Sequence, residues 1–135
     1  MSINFEGLEE IYSKLEELQD TSKFESQLGK ACALVERAAK EKAPKGTGEL
    51  RRSITSKVED LKGIIYTPLE YAPYVEYGTG LFAEEGGRTD VPWVYQDEKG
   101  EWHRTSGQHP QPYMRPALDE NREKIKELLK EGLNV

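Results

Sequence analysis

The chain has 135 residues, a formal net charge of -6, and 33% charged against 36% hydrophobic residues. That length fits one domain with one modest core, and the polar balance points to an oligomer whose partners cover the remaining apolar surface. The acidic total argues against a general nucleic-acid binder, the single Cys32 excludes an internal disulfide framework, and the opening MSINFEGLEE has neither the basic nor the apolar region of a classical export signal. No stretch approaches the ~20 apolar residues of a membrane span, so synthesis inside the cell without membrane insertion is the expectation.

Leu8, Ile11, Tyr12, Leu15 and Leu18 recur at helical spacing, which predicts a short amphipathic helix over 5–19. After Gln19-Asp20, Thr21 or Ser22 can cap a longer helix over 22–43 whose core stripe is Phe24, Leu28, Ala31, Val35 and Ala38. Pro44 biases its predecessor away from helical geometry, and Gly46 and Gly48 follow, so the helix stops there. The β-branched segments 52–58 and 63–67, joined by Glu59, Asp60, Leu61 and Lys62, predict an antiparallel hairpin within 52–67. Pro73 opens a short helical turn over 71–77. A second hairpin over 92–105 turns at Asp97-Glu98-Lys99-Gly100, the composition of a type I turn with a glycine bulge. Pro116 stands in the first turn of a last helix over 115–133, where Leu118, Ile125, Leu128, Leu129 and Leu133 form one stripe and Glu120 and Lys124 an i, i+4 pair. This order is α+β: an antiparallel sheet of about four strands against the long core helix and the C-terminal helix, with long irregular loops rich in aromatics, Gly and Pro.

Nine of the twelve aromatic residues lie between 66 and 113 (Tyr66, Tyr71, Tyr74, Tyr77, Phe82, Trp93, Tyr95, Trp102, Tyr113), amid Gly and Pro. Aromatics in irregular chain offer large, rigid contact area with a polar tip, so Phe82, Trp93 and Trp102 are candidates for partner contact. The alternative is that these rings cap the sheet of their own protomer.

The motifs that would carry chemistry fail on context. Gly78-Thr79-Gly80-Leu81-Phe82-Ala83 matches G-x-G-x-x-A, but the following EEGGRTD starts no helix to hold a pyrophosphate. Pro44-Lys45-Gly46-Thr47-Gly48 lacks the terminal Gly-Lys-Ser/Thr of a phosphate loop and reads as a turn. His103, His109 and the distant Cys32 have neither the count nor the spacing of a metal site. Ser106 beside His109 is a pairing that polar loops produce by chance. The expectation is therefore no enzyme, no metal and no cofactor. Residues 37–57 hold seven basic and two acidic residues, a local +5. Within them Lys45, Arg51 and Arg52, on the loop leaving Gly46 and Gly48, are candidates to contact an acidic neighbour or, on the alternative reading, DNA.

Three stretches, in order, resemble one known family: AAKEKAPKGTGELRRSI, then Tyr71-Ala72-Pro73-Tyr74-Val75-Glu76-Tyr77-Gly78-Thr79, then Gln111-Pro112-Tyr113-Met114-Arg115-Pro116-Ala117-Leu118. They resemble the small tail-completion and head-tail joining proteins of long-tailed bacteriophages, the gene-product-ten-like and minor-tail-protein-Z-like group. The resemblance extends over about residues 5–133 and is weakest in 80–110. It implies a virion structural protein made in the bacterial cytoplasm and placed in the tail or neck, with Tyr71, Pro73, Tyr74, Tyr77, Gly78, Gly80, Pro112, Arg115 and Pro116 as the fold signature. It also implies a ring of subunits, six to match the tail, touching the tail terminator or the head connector, with DNA passing through as the alternative partner and no membrane or small-molecule substrate. Tyr74 and Tyr77, at i, i+3, would pin the glycine loop that follows, and Arg115 would fix the last helix. Loops 78–91 and 104–112 would be mobile in the free subunit and ordered by neighbours.

Overall fold

The computed structural model describes residues 1–5, 20–88, 90–97 and 99–133. The chain divides into two compact units, one made of Met1–Leu69 with Tyr113–Val135 and the other of Glu70–Pro112. The architecture is α+β with antiparallel strands, as the element order predicts.

In the first unit, helix α1 (Ser22–Lys42) buries Phe24, Gln27, Leu28, Ala31, Cys32, Val35 and Ala39. The stripe runs as expected through Val35 and then continues by four to Ala39, which leaves Ala38 only half-buried. Neither Thr21 nor Ser22 caps the helix through its side chain. Asp20 serves instead, one position earlier, accepting the Ser22 N–H at 2.9 Å and the Ser22 hydroxyl. The helix ends at Ala43, which is extended before Pro44 and donates its N–H to the Ala39 carbonyl.

Lys45–Gly48 is a turn closed by a 2.8 Å bond from Gly48 N–H to the Lys45 carbonyl. It delivers the chain to helix α2 (Glu49–Ser53). The expected strand from residue 52 is thus a helix to Ser53, because buried Leu50 anchors one turn of helix before buried Ile54 begins the extended chain. Strands β2 (Thr55–Glu59) and β3 (Lys62–Tyr66) then form the predicted hairpin, with a tighter two-residue turn at Asp60 and Leu61. Both turn residues have positive φ, 51° and 61°, the geometry whose twist matches paired strands but which is costly for leucine.

Strand β1 (Ser2–Phe5) completes the sheet in the order β1-β3-β2, with Ile3 opposite Ile65 and Phe5 opposite Gly63. The expected helix over 5–19 lies outside the described residues, apart from Phe5, which ends β1. Central strand β3 alternates, burying Gly63 and Ile65, and its Ile65 meets the α1 side of the core. Beside it, Ser53 Oγ donates to the Leu50 carbonyl at 2.6 Å and lies 2.6 Å from Thr67 Oγ1, so the buried Thr67 hydroxyl has a partner.

The single C-terminal helix expected over 115–133 is two, α4 (Met114–Asp119) and α5 (Arg122–Gly132). Asn121 breaks it by donating its side-chain amide to the Ala117 carbonyl at 2.7 Å, in competition with the helical backbone ladder. Glu120 is thereby turned away from Lys124. It pairs with Lys42 at 2.5 Å instead, and Lys124 lies 3.8 Å from Glu127. Ile125, Leu129 and Leu133 are buried as predicted, Leu118 and Leu128 only half so, and Tyr113, Met114 and Ala117 add to the core.

The second unit carries helix α3 (Ala72–Tyr77), a single 3-10 turn (Gly80–Phe82), and strands β4 (Trp93–Gln96) and β5 (Trp102–Thr105). The expected sheet of about four strands is therefore a three-stranded sheet and a separate two-stranded one. The second hairpin turns as predicted: Gly100, at φ 83°, donates to the Asp97 carbonyl at 3.0 Å, and Asp97 N–H reaches the Glu101 carbonyl at 2.8 Å.

Candidate functional site

Among its described residues the second unit buries only Ala72, Glu76, Gly78 and Gly80. So small a unit has little interior to offer. Of the nine large hydrophobic side chains that the described residues expose, eight belong to it: Tyr71, Tyr74, Tyr77, Leu81, Phe82, Val94, Tyr95 and Trp102. A concentration of this kind marks an interaction surface, since scattered single exposures are the norm for a free monomer.

Backbone geometry holds this surface in place. Gly78 N–H donates to the Tyr74 carbonyl and Glu84 N–H to the Tyr77 carbonyl, each at 2.9 Å. The two tyrosines thus hold the glycine segment through their main-chain carbonyls, while the Tyr74 ring is exposed. Pro73 stands in the first turn of α3, and the Val75 carbonyl accepts from Gln111 N–H, next to exposed Pro112. Segments 78–91 and 104–112, expected to be mobile, are tied together. Thr79 N–H donates to the Gln108 carbonyl at 2.9 Å, Gln108 N–H to Thr79 Oγ1 at 2.9 Å, and Leu81 N–H to the Ser106 carbonyl at 3.0 Å. The two backbones approach so closely that a Cβ on Gly80 (φ 61°) would strike the Ser106 carbonyl oxygen, and one on Gly107 the Thr79 oxygen.

The candidate contact residues divide. Trp102 is 69% exposed and Phe82 lies against His109 with ring centroids 3.9 Å apart and planes tilted by 30°, whereas Trp93 is half-buried beneath the Arg88 guanidinium, 4.8 Å from its ring. Arg88 is itself held by Asp90 in two bonds of 2.7 and 2.9 Å. Leu81, 62% exposed, is not among the contact candidates that the sequence suggests. Its signal there is an apolar residue set between Gly80 and Phe82 in a glycine-rich segment.

Lys45 is exposed on the turn after α1. Arg51 and Arg52 stand on α2 rather than on a loop, because the helix starts at Glu49. Arg51 Nε donates to the Lys40 carbonyl at 2.9 Å, closing the C-terminal end of α1, and Arg52 reaches the Thr47 carbonyl at 3.4 Å. Arg115 and Pro116 lie half-buried in the first turn of α4.

One grouping of ligand-type side chains goes beyond His103, His109 and the distant Cys32 that the sequence offers. Strand register places Asp97, Glu101 and His103 so that one carboxylate or ring atom of each lies within 4.8 Å of the others. Asp97 organises this corner. Its Oδ1 accepts the N–H groups of Lys99 and Glu101, and its Oδ2 lies 2.6 Å from His103 Nε2. The His103 bond first, then the Glu101 N–H, hold the Asp97 carboxyl below the ordinary carboxylate range. Turn-forming hydrogen bonds account for the arrangement. No helix among the described residues is long and apolar enough to cross a membrane.

A family model described as "Bacteriophage HK97-gp10, putative tail-component" matches residues 9–78, just over half of the chain. No curated protein and no solved structure matches. The matched span takes in the passage from α1 through α2 and the α3 signature up to Gly78, and ends before Gln111–Leu118. The chain belongs to the HK97-gp10-like family of bacteriophage tail components.

Proposed function

We propose that this tail component acts where head meets tail, completing the tail at its head-proximal end and joining it to the head, as a structural subunit that catalyses no reaction. The observation that carries the reading is the crowding of eight exposed large hydrophobic side chains into residues 70–112 of a chain from a tail-component family. A surface of this composition in so coreless a unit is stabilised by being covered. The covering partners in this reading are further copies of the chain, closed into a ring of six, and the tail terminator or head connector on either side of it. The protein then resides in the virion neck after synthesis in the bacterial cytoplasm. It takes no small-molecule ligand there.

Deletion of the gene followed by electron microscopy of lysates tests the proposal. Separate filled heads and finished tails are the expected result, with joining restored when the protein is added back to the lysate. Normal virions from the deletion would rule the role out.

A further inference from the structure

The tip of the second hairpin holds more ligand-type chemistry than its turn uses. Turn-forming bonds account for Asp97, whose Oδ1 accepts the N–H groups of Lys99 and Glu101, and for the main chain of Glu101. They make no use of the Glu101 carboxylate. That side chain is exposed and has no hydrogen bond or ion pair among the described residues. Even so, one of its oxygens, one Asp97 oxygen and one His103 ring nitrogen lie within 4.8 Å of one another.

Strand geometry explains the meeting. Glu101 stands just before β5 and His103 two residues later, so both side chains project from one face of the hairpin, and Tyr95, opposite His103 in β4, shares that face. The Tyr95 and His103 rings stack with centroids 5.3 Å apart and planes 26° from parallel, while His103 Nε2 is aimed at Asp97 Oδ2, 2.6 Å away. The imidazole is thus held both on its flat side and at its edge. Two carboxylates beside it repel one another, and a bound cation would offset that repulsion.

We infer that Asp97, Glu101 and His103 bind a divalent transition-metal ion of the zinc type, which clamps the tip of the β4–β5 hairpin. The donor set decides the class of ion: one imidazole nitrogen with two carboxylates suits zinc, whereas calcium and magnesium take oxygen ligands. Zinc bonds to such atoms are about 2.0–2.2 Å long, which sets tetrahedral ligands about 3.4 Å apart. The ion replaces the proton between His103 and Asp97 and opens that pair by less than about 1 Å, and no pair of the three ligand atoms has to close by more than about 1.4 Å. Water completes the coordination. A two-stranded hairpin is marginally stable in water, and this one carries exposed Val94, Tyr95 and Trp102. Joining its turn to β5 through a metal holds those side chains in one arrangement. The inference stands independently of the head-tail joining role.

Zinc chloride added to the full chain, after treatment with a chelator, tests the site by equilibrium dialysis and by NMR of backbone amides and imidazole rings. One ion per chain is expected, with the largest spectral changes at the amides of Asp97, Lys99, Glu101 and His103 and at the His103 ring. Glu101→Gln is the decisive variant, because the turn uses only the main chain of Glu101. It should weaken zinc binding about ten-fold or more while leaving the metal-free spectrum of the hairpin unchanged. His103→Ala should lower binding at least as far, and His109→Ala, at the other histidine, should bind like the wild type. Hydrogen exchange of the hairpin amides should slow when zinc is added to the wild type and stay unchanged in Glu101→Gln. The site is overturned if the wild type takes up no zinc at submillimolar concentration, if Glu101→Gln binds as tightly as the wild type, or if His109→Ala abolishes uptake. Magnesium binding as tightly as zinc would also overturn it, because an unselective acidic surface would then suffice.

Discussion

The side-chain amide of Gln27 on α1 donates to the main-chain carbonyl of Leu128 on α5 at 3.1 Å, and also reaches Glu131 Oε2 at 2.9 Å. Gln27 is buried, so these bonds satisfy a polar group that the packing of the two helices removes from water. Gln27→Ala is expected to lower stability by about 1–2 kcal/mol, the cost of leaving a part-buried carbonyl unpaired. Urea unfolding checks it: the midpoint falls while the slope stays unchanged. A midpoint equal to the wild type's would show that water replaces the amide without loss.

Gly132 meets the same seam from the other side. A Cβ placed there would lie 2.9 Å from the Phe24 Cα, closer than real Cβ atoms approach backbone. Gly132→Ala gains helix propensity, worth at most about 1 kcal/mol, but must push the helices apart at an overpacking cost of roughly 1–3 kcal/mol. The net expectation is a lower melting temperature, measured by calorimetry. A raised one would mean that the seam yields.

The crossing of Gly80 and Gly107 governs the second unit. Gly80→Ala combines a positive φ of 61° with collision against backbone, which cannot rotate away. The strain is of order 1–3 kcal/mol, enough to part segments joined by so few hydrogen bonds. Hydrogen exchange should show the amides of Thr79, Leu81 and Gln108 losing protection while those of α1 keep theirs. Unchanged protection at all three would mean that the segments hold without the close approach.

Acid should act on the second hairpin through Asp97. Its folded pKa is lowered from the ordinary value of 3.8, so its contribution is fully present above that value and is lost as pH falls through the lower folded one. The two tryptophans, Trp93 and Trp102, both lie on this hairpin, so their fluorescence reports it. A change below about pH 4 is expected in the wild type, weakened or absent in Asp97→Ala. Identical titrations would show that Asp97 does not govern the hairpin.

Cys32 offers a probe of the core. Burial first, with a smaller push from the Glu36 charge, raises its thiol to about 11, and its Sγ donates to the Lys57 carbonyl at 3.7 Å. A buried thiol that stays protonated is a poor nucleophile. At pH 8 the folded protein should react with a thiol reagent at the rate of unfolding and fully in denaturant. Rapid labelling of the folded chain would show that α1 lifts from the sheet locally.

The local parts of this protein are legible in its sequence because short-range chemistry decides them. The four- and three-residue spacing of Phe24, Leu28, Ala31 and Val35 specifies α1, Pro44 stops it, Pro73 starts α3, and Asp97 with Gly100 turns the second hairpin. The concentration of aromatics in 66–113 likewise marks the segment that carries the exposed surface. Tertiary structure decided the rest. Strand β1 exists because β3, some sixty residues away, supplies its hydrogen bonds, and the strands divide into two sheets because, among the described residues, β4 and β5 pair only with each other. The backbone crossing at Gly80 and Gly107, and the choice of Leu81 over Trp93 as the exposed residue, follow from segments meeting in space, which no local periodicity encodes.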